Sequence, residues 1–206
     1  MTIPHAVPPV QNLLIATHNA GKIGEITDLL EGIPMRIISF ADISAIPEVE
    51  EDGSTLEENA FKKARSAFAA TRFPSLSDDT GLEVFALKMA PGVRSARYSG
   101  EDATYEMNNE KLLQELSRLP EQERGARFRC VAAYVDETWE FVTEGVCNGT
   151  IARACRGDGG FGYDPLFVPD GYTLTFAELS REIKNSMSHR ARAFGAMRSY
   201  LMNHHL

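Results

Sequence analysis

The chain has 206 residues, 43% of them hydrophobic, enough for one substantial core that can divide into two lobes. A formal net charge of -8 and a pI near 5.2 argue against broad binding to nucleic-acid backbone, so a polyphosphate ligand needs locally grouped cations or a metal ion. No apolar run approaches the length of a membrane span. Cys130, Cys147 and Cys155 fit neither a zinc site nor a disulfide framework, which leaves reduced thiols in a cytoplasm as the simplest reading.

Residues 1–11, MTIPHAVPPVQ, lack the charged and apolar regions of a secretory signal and read as a disordered lead-in, with 12–206 as a single domain. NLLIAT (12–17) predicts a buried strand, and GKIGEITDLLEG a helix from Gly21 that ends near Gly32 and Pro34. MRIIS (35–39) predicts a second strand, followed by the acidic loop PEVEEDG (47–53). A helix is expected from about Thr55 to Thr71, with a Thr55–Glu58 capping box and an apolar stripe of Leu56, Ala60, Ala64, Ala67 and Phe68. On that helix Lys63 falls at the edge of the stripe, where it can reach over a cleft wall, while Lys62 points to solvent.

A short strand then runs into Asp78. The loop 90–103 follows, and then a helix from about Asp102 to Leu119. ARFRCVAAYVD (126–136) and WEFVTEGVC (139–147) predict a hairpin turning at Asp136 to Thr138, with GTIARAC (149–155) as a third strand. A glycine-rich loop leads to a last helix from about Ser188. Strands and helices alternate early and strands cluster late, which predicts a mixed sheet with helices on both faces.

Five stretches carry residue types suited to chemistry. In SDDTG (77–81) two carboxylates are adjacent, and neighbours on an extended strand point to opposite faces. One aspartate can then face a cleft while the other is held behind it; the competing reading is an Asx-type turn that caps local N–H groups. ATHNAGK (16–22) follows a strand and opens a helix, the setting in which free N–H groups hold phosphate. It is not a P-loop, because that pattern needs Gly at 16 and Ser or Thr at 23, where Ala16 and Ile23 stand. RGDGGFGYDPLFVP sets Phe161, Tyr163 and Asp164 among glycines that permit close approach to a flat ligand. EIKNSMSHR gathers Lys184, His189 and Arg190 near a helix start, where cations are unfavourable unless something negative lies nearby. Glu48, Glu50, Glu51 and Asp52 read as a solvated loop, from which one carboxylate near Asp79 could complete an oxygen shell for Mg2+.

Taken in order, LLIATHNAGKIGEI, EEDGSTLEENAFKKA, SDDTGLEV, APGVRSARYSGEDAT, GGFGYDPLF and EIKNSMSHR resemble the inosine/xanthosine triphosphate pyrophosphatase family over nearly the whole chain. The resemblance implies an elongated mixed-sheet α/β/α fold with two lobes and a cleft between them, usually homodimeric and cytoplasmic. It also implies Mg2+-dependent cleavage of ITP, dITP and XTP between the α- and β-phosphates, with no nucleic-acid or membrane partner. By matching positions, Thr17, His18, Asn19, Ala20, Gly21 and Lys22 would hold the phosphates. Asp79 would be the catalytic acid and metal ligand, Glu51 would share the metal, Asp78 and Lys63 would assist, and Thr80 would contact substrate. Phe161, Gly162, Tyr163, Asp164, Lys184, His189 and Arg190 would surround the nucleoside. Thr80 and His18 stand where the family often has Ser and Gly. A non-catalytic purine nucleotide sensor would keep the same loops without activating a water.

Overall fold

The computed structural model describes residues 11–43 and 49–204; the expected lead-in, apart from Gln11, and Glu48 lie outside them. Strand β1 (Gln11–Ile15) begins with Gln11 paired to Met35 of β2 (Met35–Ser39), one residue ahead of the expected boundary. Helix α1 (Ala20–Leu29) connects these parallel strands, and the Asn19 side chain caps it by accepting from the Lys22 N–H. Helix α2 (Leu56–Thr71) starts at Thr55, whose side chain accepts from Glu58 N–H. The reciprocal half of the expected capping box goes elsewhere: the Glu58 carboxylate accepts from the N–H and hydroxyl of Ser54 at 2.7 Å.

The next strand departs most from expectation. Strand β3 (Ser75–Val84) runs straight through Asp78 and Asp79, so the Asx-turn reading does not hold. It pairs with β5 (Gly125–Val135) along its whole length. On its other edge it meets β1 only at Ser75 and Leu76, and β4 (Pro91–Gly92) only at Leu82 and Glu83. Residues 77–81 therefore lie on an edge left open by both short strands, and the cleft forms there.

Helix α3 (Tyr105–Glu115) is shorter than expected at both ends, because Thr104 caps Met107 N–H at the start and Leu116 N–H closes on Leu112 at the end. The expected third strand at 149–155 is also redrawn. Strand β6 (Glu140–Ile151) absorbs 149–151, and its new partner is β7 (Phe167–Pro169). Gly149 looks like a turn residue, but a Cβ there would lie 2.3 Å from the Val168 carbonyl, so glycine serves close strand approach. The last helix, expected from about Ser188, is α5 (His189–His204); a short helix that was not expected, α4 (Arg181–Met187), precedes it, and Ser188 in an extended conformation separates the two.

The sheet order is β2-β1-β3-β5-β6-β7, parallel among β2, β1 and β3 and antiparallel beyond. Alternation assigns the layers. Leu13, Ile15, Cys130, Ala132 and Tyr134 face α1 and α5, whereas Leu14, Val131, Ala133 and Val135 face α2. A separate core of Leu82, Val84, Leu112, Phe128, Phe167 and Phe176 fills the far end. The clusters on the two sheet faces make one lobe and the far-end core makes the other, and residues 77–81 sit between them.

Candidate active site

A cavity of about 270 Å³ opens at the free edge of β3. Its phosphate-binding end, as the sequence predicts it, is the β1–α1 turn. Thr17, His18, Asn19 and Lys22 line the cavity, while Ala20 and Gly21 do not. Thr17 Oγ1 accepts from Asn19 N–H at 3.2 Å, and Asn19 Oδ1 accepts from Lys22 N–H at 3.1 Å, so side chains shape the turn. The Lys22 ammonium lies 3.2 Å from Asp78 Oδ1. Burial is the largest influence and disfavours its charge, but Asp78, Asp79 and Glu51 together outweigh it and raise the Lys22 pKa.

The two aspartates part company as their strand positions require. Asp78, fully buried, meets Lys22, Arg190 Nη2 at 3.0 Å and the Thr80 hydroxyl at 2.9 Å, and it does not line the cavity. Asp79 turns to the α2 side, where Oδ2 accepts from Asn59 Nδ2 at 3.0 Å and Oδ1 from Thr80 N–H at 2.9 Å. Burial would raise the Asp78 pKa, but Lys22, Arg190 and Lys63 outweigh it and hold the carboxyl far below the usual range. Asp79 moves the other way: burial raises it more than Lys63 and Lys22 lower it.

The signs set a pH dependence. With its native pKa far below the unfolded value of about 3.9, Asp78 contributes stability that is fully present above roughly pH 5, begins to drain near about pH 4 and is lost as pH falls on toward the native pKa, and Asp79 offsets part of this. Urea midpoints between pH 3 and 7 should fall steeply on the acid side and should flatten in Asp78→Asn; equal slopes would refute this assignment.

Lys63 reaches the cavity, as its place on α2 suggests, and Lys62 pairs instead with exposed Asp52. The Lys63 ammonium lies 2.8 Å from Glu51 Oε1 and 3.8 Å from Asp79 Oδ1, so one cation already sits within reach of both carboxylates. Among the described acidic residues of 49–52, only Glu51 lines the cavity, and Arg97 fixes its carbonyl at 2.6 Å. Two converging carboxylates fit Mg2+, which takes one or two and completes its shell with phosphate and solvent oxygens.

At the other end the glycine-rich loop brings Phe161, Gly162, Tyr163 and Asp164 to the wall. Asp164 Oδ2 accepts from Phe161 N–H at 2.9 Å and from Lys184 Nζ at 2.6 Å. Gly160 has φ +71, and a Cβ there would lie 2.1 Å from that same oxygen, so glycine is required. Tyr163 donates to the Ser95 carbonyl at 2.9 Å. His189 stacks on Phe128 with centroids 4.5 Å apart; burial first, then Arg190 and Lys184, keep it uncharged. Its Nδ1 is buried without a hydrogen-bond partner. Lys184 does not line the cavity but stands behind it, bridging Asp164 and Glu25. A run of alternating charges thus joins the two ends, Lys22, Asp78, Arg190, Glu25, Lys184, Asp164, in which Lys22, Arg190 and Asp164 reach the cavity and the other three stand behind it.

The Ham1 family model matches residues 13–200. The chain belongs to the Ham1 family. Among curated relatives, a dITP/XTP pyrophosphatase of Geobacter sulfurreducens is 50% identical over 190 residues, 92% of this chain and 96% of that one. One from Porphyromonas gingivalis is 45% identical over 193 residues, 94% and 98% of the two chains. The Ham1 protein structure from Coxiella burnetii superposes with a TM-score of 0.85 at 38% identity, covering 94% of this chain and all of that one. The Ham1 protein of Staphylococcus aureus gives 0.82 at 38% identity, covering 94% and 99%. The Ham1 match covers every segment that builds the cavity. Sequence reasoning passed over four of its supports: Glu25, Asn59, Tyr105 and Asn108. Glu25 stands one helical turn from Lys22 on α1, and Asn59 one turn from Lys63 on α2; these spacings were the available signal.

Proposed function

We propose that this chain hydrolyses non-standard purine nucleoside triphosphates, ITP, dITP and XTP, to the nucleoside monophosphate and pyrophosphate, and so cleanses the nucleotide pool. One observation carries the reading: Lys22, Glu51 and Asp79, from three separate segments, converge on one cavity whose far end is aromatic and glycine-rich. The relatives named dITP/XTP pyrophosphatase support it over a non-catalytic sensor. In this reading Lys22 and the free N–H groups at the start of α1 hold the phosphates. Asp79 and Glu51 would hold Mg2+, which when bound neutralises phosphate charge and lowers the pKa of a coordinated water. Asn59 fixes the Asp79 carboxylate, Lys63 supplies positive charge beside it, and Asp78 keeps Lys22 in place.

Phe161 offers its ring to the base, and uncharged His189 and the adjacent Arg190 face its edge. Donors there suit a 6-keto oxygen and disfavour the 6-amino group of ATP. A site built on such bonds discriminates by about 10⁴-fold or more. The protein is taken to act as a cytoplasmic homodimer without nucleic-acid or membrane partners; its -8 net charge supports the first exclusion. No helix among the described residues is long and apolar enough to cross a membrane.

Pyrophosphate release from ITP, dITP, XTP, ATP and GTP in the presence of Mg2+ tests the proposal. Pyrophosphate should appear in step with monophosphate from the first three and far more slowly from ATP. Release of orthophosphate, or tight dITP binding without turnover, would overturn it.

A further inference from the structure

Helix α3 contributes a face that the proposed roles have not used. Tyr105, Asn108 and Asn109 fall at i, i+3 and i+4, one side of the helix, and that side turns to the cleft. Asn108 Nδ2 donates to the Ala96 carbonyl at 3.0 Å and Asn109 Nδ2 to the Gly162 carbonyl at 3.0 Å, so α3 ties the 90–103 loop and the aromatic loop to itself. Tyr105 reaches the opposite way. Its hydroxyl accepts from Asn19 Nδ2 at 2.9 Å, across 86 residues of sequence, and its ring lies 6.3 Å from that of Phe161. Tyr105 remains 43% exposed and lines the cavity, so it sits at the mouth rather than in a core.

The geometry has a chemical consequence. An amide has two distinct ends, and Asn19 is useful to the β1–α1 turn only when Oδ1 faces the Lys22 N–H. The donor-only Lys22 N–H selects that orientation, and the Tyr105 oxygen, accepting from Nδ2, holds the amide in place from the other lobe. We infer that Tyr105 is a positioning residue for the polyphosphate: it clamps Asn19 across the cleft mouth and orders the turn that meets the ligand. The inference rests on the proposed nucleotide site and deepens it.

The test compares wild type, Tyr105→Phe, Asn19→Ala and the double variant, with inorganic tripolyphosphate as the probe and dITP as substrate. Losing one hydrogen bond of ordinary strength should weaken tripolyphosphate binding and raise the KM for dITP, each about fivefold. The kcat should stay within twofold and the melting temperature should not change, because an exposed ring is kept. Since Tyr105 acts through Asn19, adding Tyr105→Phe to Asn19→Ala should cost no further affinity. Tripolyphosphate binding by Tyr105→Phe within twofold of wild type, or independent additive losses in the double variant, would overturn the clamp. A wild type that binds tripolyphosphate yet releases no pyrophosphate from dITP would overturn the proposed function and leave the clamp standing. Absence of tripolyphosphate binding by wild type would sink both.

Discussion

Replacing Asp79 by Asn should lower kcat for dITP by at least about 10³-fold while the protein remains folded. Two arguments set that asymmetry. The carboxylate is one of two that converge on the Lys63 ammonium, so its charge is what would hold a divalent cation there, and an amide supplies none. Burial already disfavours that charge, so a neutral isostere costs little stability. Asn retains an oxygen for Asn59 or for the Thr80 N–H, though not for both, and the stability loss should stay near about 1 kcal/mol. Pyrophosphate assays alongside urea unfolding check both halves. Turnover within tenfold of wild type would remove Asp79 from the chemistry.

The largest loss of stability is expected from Arg190→Met, at about 3–5 kcal/mol. Arg190 is 1% exposed and holds two buried carboxylates, Glu25 at 2.6 Å and Asp78 at 3.0 Å. Methionine keeps much of the volume but leaves those acids with only lysine partners, Lys184 for Glu25 and Lys22 for Asp78. Adding Asp78→Asn should recover part of the loss, because one uncompensated charge is removed with it. Urea denaturation of the single and double variants reads this directly. A loss below about 1 kcal/mol for Arg190→Met would show that the alternating charges are not coupled as their distances indicate.

Much of this site was legible because its residues travel in short motifs. The β1–α1 turn, the α2 start, the Asp pair and the aromatic loop each carry local signals of period, capping and glycine. Opposed facing of Asp78 and Asp79 followed from strand geometry alone, before any partner was known. What stayed hidden depends on distance along the chain. Glu25 meets Lys184 and Arg190 at separations of 159 and 165 residues, and nothing in GKIGEI marks it as the acid between two cations. Tyr105 reads as an ordinary aromatic in a helix start until α3 is laid across the cleft. The continuation of β3 past Thr80-Gly81 was obscured because those letters suit a stop, whereas pairing with the whole of β5 decides otherwise. Ser188, by contrast, carries a local signal: its hydroxyl accepts from Ala191 N–H at 3.1 Å and caps α5 where the last helix is expected to start, whereas the short α4 ahead of it was not foreseen.

The strands that carry both cores have a mechanical consequence. β5 and β6 run 11 and 12 residues from one lobe into the other, and β3 crosses the same boundary beside them. The lobes are therefore joined by hydrogen-bonded ribbon, not by a linker that swivels. Widening the slot must bend or twist that ribbon, so its elasticity limits how far the jaws can part, and neither half can melt without fraying its neighbour.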